Sequence, residues 1–156
     1  MTRLLVACVG NPLRGDDGFG AAVAARLGSL PAGVDLVETG IGGVALLQEL
    51  MGGYDGLVLV DATDRGAVAG TVFVLEPEVD EPVHVPDVHL ANPDRVLSLA
   101  KALGCLPPRV VLVGCQPGAD ELGQGLSPPV ARAVDVAIGE IRATVRAWLG
   151  PPDRGA

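Results

Sequence analysis

Residues 4–20, Leu4-Leu5-Val6-Ala7-Cys8-Val9-Gly10-Asn11-Pro12-Leu13-Arg14-Gly15-Asp16-Asp17-Gly18-Phe19-Gly20, decide the fold. The apolar run Leu4–Val9 reads as a buried strand, and it breaks at Gly10-Asn11-Pro12 into a glycine-punctuated loop. A helix follows over 18–27, with Phe19, Val23 and Leu27 on one face and Gly28 as its stop. Strand, loop and helix in this order form the building unit of a parallel α/β sheet. Such sheets bind ligands beyond the carboxyl ends of their strands, where Asp16 and Asp17 stand. Two acids with no lysine or arginine in a fixed register beside them suit a cation better than a phosphate.

The rest of the chain repeats the alternation. Val34–Glu38 reads as strand two and Val44–Met51 as a short helix ending at Gly52-Gly53. Gly56–Asp61 is apolar up to its last residue, as a strand covered on both faces should be. Thr71–Leu75 reads as strand four, and residues 76–91 as an irregular loop. Asn92-Pro93-Asp94 carries three helix-start signals, a cap, a first-turn proline and an acid against the positive dipole end. That helix runs to about Leu103. Arg109–Val113 is strand five, and Ser127-Pro128-Pro129 opens a last helix to about Trp148. The pattern predicts a three-layer α/β/α domain with a mostly parallel sheet, though not the strand order. Residues 1–150 form one domain, and Pro151–Ala156 a frayed tail.

Composition narrows the function. The chain of 156 residues is 49% hydrophobic with two Phe, one Trp and one Tyr, so aliphatic packing carries the core. A formal charge of −8 argues against a nucleic-acid partner held through phosphates. No polybasic run suggests a membrane surface, and the first apolar run is too short for a signal peptide or a span. A cytoplasmic location is expected. The three cysteines, Cys8, Cys105 and Cys115, lack Cys-x-x-Cys spacing and read as free thiols.

The chemistry-bearing candidates are few. Asp17 stands at or near the N-cap of the first helix, and capping alone would explain it. The neighbouring acid and the glycines at 10, 15, 18 and 20, which let backbone approach a ligand, favour a site. Asp61 ends an apolar strand, a poor place for packing and a good one for chemistry; Asp64 is the alternative. Of the two histidines, His84 and His89, the second is three residues ahead of a well-specified helix start and should be held more firmly. Imidazole with two carboxylates suits nickel, zinc or manganese, with positions left open for water or substrate. Ser127 reads as a helix cap, no Gly-x-Ser-x-Gly elbow is present, and a Cys115–His89 pair is a weak competitor.

With these residues in view, the chain resembles the hydrogenase maturation endopeptidases, which trim the large subunit of NiFe hydrogenases. The resemblance rests on Gly10-Asn11-x-Leu13 leading to Asp16-Asp17-Gly18-x-Gly20, on Gly40-x-x-Gly43 and on Val60-Asp61-Ala62. It continues through His89 with Val96-Leu97, then Leu112-Val113-Gly114-Cys115-Gln116-Pro117 and Gly125-Leu126-Ser127-Pro128. Departures lie at Glu38-Thr39 before the glycine turn and Asp87-Val88 before His89, where Asp87 is placed to orient the imidazole.

The resemblance implies a five-stranded twisted sheet between helices and makes Asp17, Asp61 and His89 the metal-binding and catalytic residues. It implies a hydrolase of aspartic-type endopeptidase activity that activates a hydrogenase by removing the C-terminal extension of its large-subunit precursor. Nickel, supplied at least partly by that precursor, would be both ligand and recognition signal. Two other readings compete. One is a non-catalytic α/β assembly factor that binds metal or partner. The other is a peptidyl-tRNA hydrolase-like enzyme, which shares a strand followed by Gly-Asn-Pro but expects a basic face and an early histidine.

Overall fold

A computed structural model describes residues 1–40, 43–79, 93–118 and 125–151. His84, Asp87, His89, Asn92 and residues 152–156 of the expected tail lie outside the described residues.

The described chain runs β1 (Leu4–Val9), α1 (Phe19–Leu27), β2 (Val34–Gly40), α2 (Gly43–Leu50), β3 (Gly56–Ala62), β4 (Val72–Leu75), α3 (Pro93–Ala102), β5 (Arg109–Cys115) and α4 (Pro128–Leu149). The strands form one sheet in the order β2-β1-β3-β5-β4. All neighbours are parallel except the edge pair β4 and β5. The three-layer, mostly parallel architecture is therefore as expected from the alternation of strand and helix patterns.

The central strands bury both faces, so period-two polarity is absent from them. On one face Leu4, Val6, Cys8, Val58, Val60, Val111 and Val113 meet Phe19, Val23 and Leu27 of α1 and Val134, Ala137, Ile141 and Val145 of α4. On the other, Leu5, Ala7, Leu57 and Leu59 meet Leu46 and Leu50 of α2 and Val96, Leu97 and Ala100 of α3. Gly20 sets how closely α1 lies on β1: a methyl there would overlap the Val9 carbonyl oxygen and stand 2.9 Å from its nitrogen.

The strand order fixes where a ligand can sit. The chain leaves β1 for β2 on one side, then returns to β3 on the other side of β1. The winding reverses between β1 and β3, and the crevice beyond their carboxyl ends is where open α/β sheets hold ligands.

Several boundaries move by one or two residues, and two helix starts are capped differently from expectation. Residues Gly15–Gly18 form a 3₁₀ turn, and the helix proper begins at Phe19 with Gly18 as its cap and no side-chain capping bond. Ser127 stands at the N-cap of α4, yet its side chain does not cap that helix. In both, the expected capping side chain is engaged elsewhere: Asp17 with the Asn11 amide of its own loop, Ser127 with Asp16.

Candidate functional site

The 3₁₀ turn presents its two acids to different partners. Asp17 is half-buried, and its Oδ2 accepts the Asn11 amide at 2.9 Å. The Asn11 side chain in turn accepts the Leu13 amide at 2.9 Å, which shapes the start of the loop. Gly10, at φ +138°, passes so near the turn that a methyl on it would overlap the Asp17 carbonyl oxygen. Asp17 therefore does not cap a helix. Its carboxylate is fixed by a backbone amide of its own loop.

Asp61 is the penultimate residue of β3, in register with Gly114 of β5. Its carboxyl is pushed up to about 7, first by burial and then by the negative charge of Asp17. The Ala62 amide pulls the other way, and Asp94 in the first turn of α3 adds a further upward push. The structure thus brings Asp17 and Asp61 into one field at the β1–β3 crevice, with Asp94 at its margin. A buried carboxyl whose charge is opposed by a second acid is a place where a cation or a proton would be held. His89, the third expected residue, lies outside the described residues. Among the described residues no three His, Cys, Asp or Glu gather into a metal-binding group.

The neighbours of these acids are committed to structure. Asp16 is 0% exposed, and its carboxylate accepts the amides of Gly118 (2.8 Å) and Ser127 (2.6 Å) and the Ser127 hydroxyl (2.8 Å). Asp64, the alternative to Asp61, spends one oxygen on Gln116 Nε2 (2.9 Å) and the Gly66 amide (3.1 Å), and these bonds hold its carboxyl below the usual range. Gln116 is 5% exposed; its Oε1 accepts the amides of Arg65 (2.7 Å) and Ala67 (3.2 Å). One buried side chain therefore orders the turn that follows Asp61. Cys115 is buried, and burial together with Asp16 pushes its thiol up to about 11, which removes it as a thiolate nucleophile.

Residue type and chain position pointed to Asp17 and Asp61. They singled out Asp17 but gave Asp16 no role, because adjacent acids in a tight turn point to different neighbours only once the turn is built. Gln116 and Asp94 were missed as well. The one available signal for Gln116 was a long polar side chain directly after the apolar strand that ends at Cys115.

Comparison with known proteins agrees with this layout. The family model described as hydrogenase maturation protease matches residues 23–144. The hydrogenase expression/formation protein HupD of Rhodobacter capsulatus is 34% identical over 162 residues, spanning 99% of this chain and 76% of HupD. Among solved structures, the hydrogenase maturating endopeptidase HybD from E. coli superposes with a TM-score of 0.78 at 27% identity over 94% of both chains. A NiFe hydrogenase maturation protease, HycI from Thermococcus kodakarensis KOD1, gives 0.73 at 26% identity over 92% of both. The match sets aside a peptidyl-tRNA hydrolase: by sequence and by fold, the chain belongs to the hydrogenase maturation protease family.

Proposed function

We propose that this chain is the endopeptidase that removes the C-terminal extension of a NiFe hydrogenase large-subunit precursor, and that nickel already seated in the precursor is its recognition signal. The observation that carries the reading is the placing of Asp17 and Asp61 at the strand-order reversal, where burial and the charge of Asp17 both oppose ionisation of Asp61. Nickel belongs to the substrate here, and the donor chemistry fits it: two carboxylates, with the imidazole of His89 assigned as third ligand by its place in the family motif. Other divalent metals share that donor preference. A partial shell completed by the precursor's own ligands makes loaded and empty precursor differ in affinity, which is what specificity requires.

The residues divide the work. Asp17, held by the Asn11 amide, supplies fixed negative charge. Asp61, raised to about 7 in the metal-free chain, gives up its proton as it takes the ion as a ligand. Gln116 keeps the turn beyond Asp61 in place.

The test is cleavage of precursor with and without nickel. Wild-type protein should cut only the loaded form, and Asp17→Asn or His89→Ala should lower the rate on the order of 100-fold or more. Unimpaired cutting by both variants would refute the assignment. Binding of loaded precursor without cutting by wild type would favour an assembly factor instead.

A further inference from the structure

We propose that Asp16 is a positioning residue for this reaction: its buried carboxylate anchors the turn that presents Asp17, and it does so by gripping Ser127 and Gly118. The inference rests on the reading of Asp17 given above and adds a residue that does not touch the substrate.

A carboxylate with no exposed surface needs strong partners, since burial of an uncompensated charge costs several kcal/mol (order of magnitude). Asp16 has the amide and hydroxyl of Ser127 and the amide of Gly118. Ser127 is the N-cap residue of the 22-residue α4, where the helix dipole favours negative charge. Its own side chain makes no capping bond, so its hydroxyl is donated to Asp16. The first sheet loop is thereby bolted to the segments that follow β5 and precede α4.

The bolt is one residue from Asp17, in a turn with little slack. The Asp17 amide donates to the Arg14 carbonyl at 3.1 Å, its carboxylate takes the Asn11 amide, and Gly10 passes too close to admit a methyl. Asp61 hangs independently from β3. Any rotation of the turn therefore changes the relation of Asp17 to Asp61. An amide at position 16 would force this rotation, because its NH₂ group would face donors of Ser127 or Gly118 and one contact would open.

Asp16→Asn and Ser127→Ala would be compared with wild type on nickel-loaded precursor, at a temperature where circular dichroism shows each folded. For Asp16→Asn we expect kcat to fall about 10- to 100-fold and KM for loaded precursor to rise, since a displaced Asp17 also grips the ion less well. In ¹H–¹⁵N spectra the Asn11 amide proton should move upfield as its acceptor shifts. Ser127→Ala, which keeps both backbone donors, should lose about two- to five-fold in kcat. A folded Asp16→Asn with wild-type kcat, or with an unmoved Asn11 amide, overturns the proposal. If Asp16→Asn does not fold, Ser127→Ala decides by the same two readouts. Wild-type protein inert toward loaded precursor would defeat the endopeptidase reading instead, while the Asn11 amide still judges the anchor.

Discussion

Asp61 carries the electrostatic tension of the site, and its proton reports on it. Its carboxyl is raised from 3.8 to about 7, so the folded chain holds this proton more tightly than the unfolded chain does. Between those two values stability falls as pH rises, and above about 7 the whole cost is present. Asp61→Asn imitates the protonated form and should remove that cost. Urea denaturation is expected to find the variant more stable than wild type by about 1–2 kcal/mol at pH 8, once solvent screening is discounted, and the two equal near pH 4. A pH-independent difference would mean that folding does not raise the Asp61 carboxyl. Asp16 shows the opposite solution to burial, a carboxylate matched by amide and hydroxyl donors instead of opposed by a like charge.

At the scale of elements, the loops are held by a few buried contacts, and each predicts a cost. Gln116→Leu would leave the amides of Arg65 and Ala67 without their acceptor and Asp64 with one donor fewer. Chemical denaturation should show a loss of about 1–3 kcal/mol, with the turn after β3 loosened. Gly20→Ala would push α1 away from β1 through the Val9 backbone and should cost about 1–3 kcal/mol, despite alanine's better helix propensity. These contacts also mark how far the sequence could be read. Element types followed from periodicity and punctuation, because the runs at Leu4–Val9 and Gly56–Val60 admit few alternatives. The 3₁₀ turn at Gly15–Gly18 was hidden, since its stability comes from Ser127 and Gly118, far along the chain. Likewise Ser127 carries every local signal of a cap, and a distant carboxylate overrides it.

For the whole molecule, the core is split by the sheet into two aliphatic layers that share the same central strands. Ile141→Ala in one layer and Leu46→Ala in the other should each cost about 2–5 kcal/mol, and both should unfold in a single transition by calorimetry. Two separate transitions would mean that the layers are not coupled through the strands. The strand order was not legible from sequence, because apolar runs of similar length pair equally well on composition alone. It matters most for the site, since β1 and β3 are hydrogen-bonded neighbours and Asp17 follows one while Asp61 lies next to the end of the other. The sheet is thus a ruler: adjacent strands lie about 4.8 Å apart, and that interval is set by backbone pairing, not by side-chain choice. Exchanging Asp for Glu at position 17 would extend the reach of its oxygens by one carbon–carbon bond, roughly 1.5 Å, while the ladder beneath stayed still. Under the proposed role of Asp17, the depth at which an ion is gripped can therefore be retuned by a single codon, leaving the scaffold untouched.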